Sequence, residues 1–208
     1  MPQPWRYREA SPQRLGGSGH RRARRLGGGR LVADRTYAPS YPLFEHLNGA
    51  TWTIVPGPNS GGHLTDLDLT AVAAISPTAA WAIGEGVAGG HFVPVFMGWD
   101  ASRWRYLPSP AGSWGSLAVI SARDIWVVGG RTVAESPGKH RTLAEHWDGS
   151  KWTIVPTPNA FKDRIRNSGL AAVSGSSSSN VWAVGQYQSG PTSLDTSTLV
   201  EHWDGARW

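Results

Sequence analysis

The residues of this chain best suited to chemistry are recurring Glu-His pairs, whose carboxylate and imidazole groups could ligate a metal ion or exchange a proton. The pairs are Glu45-His46, Glu145-His146 and Glu201-His202. Each pair lies among strand-forming residues, and neighbours on a strand point to opposite faces, so the two side chains of one pair cannot converge. A fourth copy of the surrounding sequence carries Met97-Gly98 instead. We therefore predict a structural role for these histidines, with no metal site.

Other catalytic arrangements find little support. The chain has no cysteine, so a thiolate site and disulfides are excluded, and it has no G-x-S-x-G nucleophile motif. A glycosidase would need two carboxylates at a set separation. Candidate acids in predicted loops are Asp66, Asp68, Glu85, Glu135 and Asp195. No pair among them stands out, so we predict no catalytic residues and no cofactor.

The segments that hold these residues form a tandem array. One segment occurs four times in the chain. Its fullest copy is TLAEHWDGSKWTIVPTPN at 142–159, a close copy is TLVEHWDGARW at 198–208, and weaker copies lie at 43–59 and 95–110. The copies at 95–110, 142–159 and 198–208 each follow a second repeated segment, which ends in a tryptophan and a glycine and lies at 69–84, 117–130 and 170–185. Ten of the twelve tryptophans fall at repeat positions, Trp5 and Trp114 being the exceptions. A period of about 50 residues indicates a repeat fold in which tryptophan packs between units.

Each unit predicts four strands, named A to D in chain order. Strand A is expected at 69–73, 116–119 and 169–173, and strand B at 80–84, 125–129 and 181–185. Strand C is expected at 43–47, 95–99, 142–147 and 198–203, and strand D at 52–55, 104–107 and 152–155. Asn-Gly or Asp-Gly between strands C and D is a strong hairpin signal, and its Asp is expected to be structural.

Four strands in each tandem unit are typical of a β-propeller blade, so we predict an all-β fold of four-stranded antiparallel blades. Its parts are a half blade with strands C and D at 42–58, blades at 69–110 and 116–158, and a blade lacking strand D at 169–208. Closed propellers have 4–8 blades, whereas this count is about three and a quarter. We therefore expect an incomplete array that self-associates through its unclosed blades.

Residues 1–41 are predicted to be a disordered basic tail, rich in Arg, Gly, Pro and Ser. Nine arginines fall in the first 36 residues, and they account for the net charge of +5, since acids slightly outnumber bases in the rest. The basic run at 19–25 could contact nucleic acid or anionic lipid through its charge, but we favour a solvated tail with no specific nucleic-acid partner. The chain shows neither the apolar segment of a signal peptide nor an apolar run long enough for a membrane span.

The motif series L-x-x-V, V-W-A-V-G and T-L-V-E-H-W-D-G-x-x-W-T-I-V-P-x-P-N resembles repeats of bacterial kelch-like proteins related to the galactose oxidase central domain. The resemblance covers residues 42–208. Gly129-Gly130 matches the kelch double glycine, whereas Gly84-Glu85 and Gly185-Gln186 do not. D-G-x-x-W also resembles the Asp box of sialidase-type propellers. Galactose oxidase activity requires a cysteine-crosslinked tyrosine, so the absence of cysteine means that this activity does not carry over.

The remaining candidate for function is a binding surface. The B–C and D–A connections share one side of such an array and differ in every copy, at 85–94, 130–141, 186–197, 59–68 and 160–168. Exposed-type groups there are His63, His91, His140, Lys162, Arg164, Arg166 and Tyr187. We expect a non-catalytic module that binds a protein or glycan, in a larger bacterial protein whose secreted or surface location is implied by the resemblance. The alternative is part of a carbohydrate-active hydrolase or lyase with catalytic acids partly outside this chain.

Overall fold

The computed structural model describes residues 42–48, 50–133, 139–158, 167–188, 190 and 195–208, together with the backbone of residues 5–9. These residues form strands, turns and irregular segments without a helix, which confirms the prediction of an all-β fold. Accordingly, no helix in the described part of the chain is long and apolar enough to cross a membrane.

The described strands form four antiparallel sheets, numbered here in chain order. Sheet 1 comprises β1 (Trp5–Glu9), β2 (Pro42–Asn48) and β3 (Thr51–Val55). Sheet 2 comprises β4 (Thr65–Ser76), β5 (Ala79–Ala88), β6 (His91–Trp99) and β7 (Trp104–Leu107). Sheet 3 comprises β8 (Ser113–Ser121), β9 (Asp124–Thr132), β10 (His140–Trp147) and β11 (Trp152–Val155). Sheet 4 comprises β12 (Ser168–Ser177), β13 (Asn180–Gln188) and β14 (Thr196–Trp203).

In each sheet, strands that are consecutive in the chain are neighbours. The apolar core lies between consecutive sheets because both faces of the central strands are apolar. In β9, Ile125 and Val127 pack towards sheet 2, whereas Trp126 and Val128 pack towards sheet 4. The residues of β5 alternate in the same way between sheets 1 and 3. This two-sided burial explains why strand B reads as a continuous apolar run in the sequence.

The last glycine of each W-x-x-G segment is required by a bulge in the neighbouring strand A. Gly129 pairs with Trp114, and the register of β8 shifts immediately afterwards. A Cβ atom on Gly129 would lie 2.0 Å from the carbonyl oxygen of Ser113. Gly84 and Gly185 meet a backbone oxygen at the same distance. The recurrent glycine therefore allows two backbones to approach more closely than any side chain permits.

The predicted C–D hairpin is present between β10 and β11, and its aspartate has the expected structural role. Asp148 Oδ1 accepts hydrogen bonds from the Ser150 backbone and hydroxyl and from the Lys151 backbone. The bond from the Ser150 hydroxyl, followed by the backbone bonds, lowers the pKa of Asp148 to about 2. Gly149, with φ +98°, supplies the left-handed residue, whereas the second unit uses Ala101 there with φ +70°.

The N-terminal segment departs from the sequence prediction. Residues 1–41 were expected to be disordered, but Trp5–Glu9 forms β1 and pairs with β2, so the prediction is wrong for these five residues. Residues 1–4 and 10–41 lie outside the described part. Trp5 stands opposite His46, as Trp126 stands opposite His146. By register, β1 thus takes the place of strand B, and Trp5 occupies a repeat position that the sequence comparison missed.

The predicted strands are too short at the end where strands B and C connect. The connection expected at 85–94 is a hairpin in which β5 and β6 continue to a turn at Gly89 and Gly90, both with positive φ. Strands β9 and β13 likewise extend to Thr132 and Gln188. Residues 134–138, 159–166, 189 and 191–194 of the other predicted connections lie outside the described residues.

Candidate binding face at the ends of the sheets

The described residues line three clefts at the end of the sheets where strand B ends and strands A and C begin. The first cleft lies between sheets 1 and 2 and measures about 270 Å³. The second, between sheets 2 and 3, measures about 470 Å³, and the third, between sheets 3 and 4, about 420 Å³. Each described boundary between sheets thus has a cleft at the end of the sheets where the sequence predicted the binding surface.

Five of the nine residues that line the third cleft carry uncharged amide or hydroxyl side chains. Apart from His140, its hydrogen-bonding side chains are Asn167, Ser168, Gln186, Gln188 and Thr196. Amide and hydroxyl groups offer both donors and acceptors without a net charge. This chemistry suits a neutral polyhydroxylated ligand better than a phosphate or a carboxylate.

Backbone and side-chain hydrogen bonds fix the floor of the third cleft. Asn167 Oδ1 accepts a bond of 3.1 Å from the backbone N–H of His140, and Asn167 Nδ2 donates one of 3.1 Å to Gln188 Oε1. The backbone N–H of Gln188 donates to the carbonyl oxygen of Asn167 at 2.7 Å. Ser168 Oγ, which is buried, accepts from the backbone N–H of Thr142. These bonds join β10, β12 and β13, so the polar groups are held in place before any ligand binds.

The second cleft combines an aromatic ring with charged groups. Its lining includes Glu85, Phe92, Arg131 and His140, and the side chain of Phe92 is 65% exposed. An exposed ring at a cleft edge provides a flat apolar surface on which a sugar or a peptide side chain can stack. His140 lines both the second and the third cleft, so the two clefts adjoin at the start of β10.

The first cleft contains a residue in an uncommon backbone conformation. Asp66, at the start of β4, has φ +48°. The preceding turn is held by a bond from the Gly61 N–H to Asn59 Oδ1 and by one from Ser60 Oγ to the carbonyl oxygen of Leu64. Non-glycine residues rarely adopt this conformation. The β4–β5 register shifts between Thr65 and Asp68, so Asp66 lies within a β-bulge.

The candidate acids are distributed among the clefts. Asp66 lines the first cleft and Glu85 the second. Asp68 stands directly opposite Glu85 in the β4–β5 register, which places both side chains on one face of sheet 2. Asp195 is exposed just before β14, and Glu135 lies outside the described residues. Among the candidate acids that the structure describes, Asp68 and Glu85 are therefore the two that face each other across a strand pair.

The other groups expected on this face have mixed outcomes. His91 and Tyr187 lie within strands, at the start of β6 and near the end of β13. His63 is exposed in the turn before β4. Lys162, Arg164 and Arg166 lie outside the described residues. Sequence reasoning missed the uncharged groups of the third cleft, because Asn, Ser and Gln in a connection look like ordinary turn residues.

The Glu-His pairs diverge, as strand alternation predicts. His146 Nε2 lies 2.9 Å from Asp124 Oδ1, and its ring lies 4.6 Å from that of Trp126. Glu145 is only 2% exposed on the other face, where it accepts a bond from the backbone N–H of Ala111. Among the described residues no cluster of three or more His, Asp or Glu could hold a metal ion.

Burial changes the acidity of two of these glutamates. Desolvation raises the pKa of Glu145 to about 7, although the Ala111 N–H opposes this rise. Desolvation also raises the pKa of Glu201 to about 7. Met97 occupies the equivalent position in sheet 2 and is fully buried. The position that holds methionine in sheet 2 thus favours the neutral carboxylic acid in sheets 3 and 4, which is a packing role.

The comparisons with known proteins identified no family for this chain. Neither the protein-family models nor the curated proteins searched gave a match.

Proposed function

We propose that the chain is a non-catalytic repeat module of β-propeller blades that binds a glycan or a protein at the three-cleft face. The meander of each sheet, the packing of consecutive sheets and the recurrent Trp register support the blade interpretation. The resemblance to kelch-like repeats favours a bacterial protein that acts at the cell surface or in secreted form.

The observation that carries the binding proposal is the third cleft. Its amide and hydroxyl groups are preorganised by the bonds among His140, Asn167 and Gln188, and an exposed Phe92 lies in the adjoining cleft. Ligand sites commonly combine a few placed polar groups with an aromatic surface. Between the two ligand classes, this lining favours a neutral glycan, because sugar hydroxyls exchange hydrogen bonds with amides and the apolar C–H face of a sugar ring stacks on an aromatic ring.

A glycan array followed by calorimetric titration of the best binder tests this proposal. We expect Gln186→Ala, in the lining of the third cleft, and Phe92→Ala, at the second, to weaken binding without lowering the melting temperature. Lys151→Ala, in the turn at the opposite end of sheet 3, is the matched control and should bind like the wild type. Equal affinities for all four proteins would contradict the placement of the site.

The alternative, a carbohydrate-active hydrolase or lyase, has one supporting observation in the Asp68–Glu85 register pair. Two carboxylates on one face can act as acid and nucleophile or base. The alternative predicts slow cleavage of the glycan identified on the array, abolished by Glu85→Gln with binding retained. Binding without any cleavage by the wild type would favour the non-catalytic module.

A further inference from the structure

The outer face of sheet 4 exposes an apolar surface, called here the tail face and defined by Trp182, Val184 and Val200. The three residues are 50%, 43% and 54% exposed, respectively. They lie on adjacent strands, because Val184 and Val200 are register partners in the β13–β14 pair and Trp182 is paired with His202. An exposed apolar group of this kind marks an interaction surface when its residues are contiguous.

The same register positions are interfaces elsewhere in the chain. Trp126, Val128 and Ala144 hold these positions in sheet 3, where they are at most 2% exposed because sheet 4 covers them. In sheet 2 the positions are held by Trp81, Ile83 and Phe96, which sheet 3 covers. The tail face therefore repeats a surface that receives another sheet at two established boundaries.

Each covering sheet brings two aromatic residues to this surface, one at the end of strand C and one directly after the turn that follows strand C. Sheet 4 places Trp203 and Trp208 against Trp126, with ring centroids 4.9 Å and 5.3 Å away. Sheet 3 places Trp147 and Trp152 against Phe96 at 6.0 Å and 5.0 Å.

The tail face is already arranged like the covered surfaces. The ring of His202 stacks on Trp182 at 4.2 Å, and His202 Nε2 lies 2.8 Å from Asn180 Oδ1. In sheet 3 the corresponding contacts are His146 with Trp126 and with Asp124. Since both partners of the stack are preset, a covering sheet would need little side-chain rearrangement to bind.

The matching covering surface lies at the other end of the same chain. Leu47 and Trp52 of sheet 1 are register partners, as Trp147 and Trp152 are in sheet 3. Phe44 of β2 packs towards sheet 2, so strand alternation directs Leu43 and Leu47 away from it. We call this second surface, made of Leu43, Leu47 and Trp52, the head face. All three of its residues are partly exposed.

We propose that the tail face of one chain binds the head face of a second copy. The two surfaces do not meet within one chain, because Trp182 is half exposed. A second copy of the chain carries the whole head face. We expect the two faces to pack as sheet 3 packs on sheet 2 and sheet 4 on sheet 3, because the same register positions form those two boundaries. Such a contact joins different surfaces on the two partners, so it is heterologous and can extend into rings or longer assemblies.

Two charge variants test both the contact and its polarity by sedimentation velocity. Val200→Glu disables the tail face and Leu47→Glu disables the head face. We expect the wild type to gain mass with concentration and each variant alone to remain a single chain. A mixture of the two variants should form a complex of two chains that does not grow further, because only one intact head and one intact tail are available.

Ile154→Glu is the matched control, since Ile154 is 47% exposed on β11 outside both faces; it should associate like the wild type. A wild type that stays a single chain at its highest soluble concentration would overturn the proposal. Association of Leu47→Glu alone would also overturn it, because that result would require tail-to-tail contact.

A cysteine experiment covers the case in which Leu47→Glu fails to fold. The chain has no cysteine, so Val200→Cys and Leu47→Cys each carry a single thiol. A short bifunctional thiol reagent should link the two proteins to each other in preference to linking either with itself. Absence of the mixed product with both proteins folded would refute the head-to-tail contact.

Discussion

The buried carboxyl group of Glu145 should make the stability of this protein depend on pH in a defined direction. Its pKa rises from 4.5 to about 7 in the folded chain because burial disfavours the charged form. The folded state therefore holds a proton that the unfolded state releases between these values. The stabilisation is fully present below pH 4.5 and is lost as pH rises through about 7.

The size of the effect follows from the two pKa values. A rise from 4.5 to about 7 corresponds to a difference on the order of 3 kcal/mol between the ends of the window. Glu201 has a pKa raised to about 7 by the same cause and contributes in the same direction. A loss of this size is a substantial share of the roughly 5–15 kcal/mol that holds a typical domain together.

Urea unfolding followed by tryptophan fluorescence across this pH window measures the effect. We expect Glu145→Gln to match the wild type near pH 4.5 and to exceed its free energy of unfolding by about 3 kcal/mol above pH 7. Glu145→Met should behave similarly, because Met97 fills the equivalent buried position. The free energy of unfolding should fall with urea concentration at the same rate in both variants and the wild type, because all three expose the same surface on unfolding.

Glu85→Gln provides the control, since it removes a carboxyl group from a partly exposed position in β5. Parallel pH profiles of Glu145→Gln and the wild type would refute the reasoning. An equal change in Glu85→Gln would show that the burial of Glu145 is not the cause.

Three further substitutions test the packing and the turns. Gly129→Ala should lower the free energy of unfolding by about 1–3 kcal/mol, because its Cβ would lie 2.0 Å from a backbone oxygen of β8. Gly130→Ala is the control, since the nearest atom to its Cβ would be 3.6 Å away, and equal melting temperatures of the two variants would contradict the bulge argument. Ala101→Gly should raise the free energy of unfolding by roughly 1 kcal/mol, because it relieves a positive φ that alanine disfavours; an unchanged urea midpoint would mean that the strain is absent. Trp126→Ala should lower the free energy of unfolding by about 3–5 kcal/mol, whereas Trp182→Ala should lower it much less, because Trp182 is half exposed. Thermal melts of dilute protein compare the two variants, and equal losses would mean that Trp182 is buried in the single chain.

Local chemistry explains why much of the fold was predictable. The W-D-G-x-x-W hairpin uses the side chain of Asp148 and the backbone freedom of Gly149 within a few residues, so it needs no distant partner. Apolar runs around Trp126 and Trp182 indicated central strands for the same reason. The divergence of Glu145 and His146 follows from strand alternation alone.

The sequence by itself determined the repeat, the all-β class, the hairpins and the side of the sheets on which the connections vary. Tertiary structure alone decided which segments pair across long distances. Trp5–Glu9 has no repeat signature, yet it becomes a strand because β2 offers unpaired backbone groups at its edge. Trp126 and Trp182 have nearly identical neighbours, but only Trp126 is covered, because burial depends on whether another sheet packs above the residue. The third cleft likewise arises where β10, β12 and β13 meet, and no local pattern in Asn167 or Gln188 records that meeting.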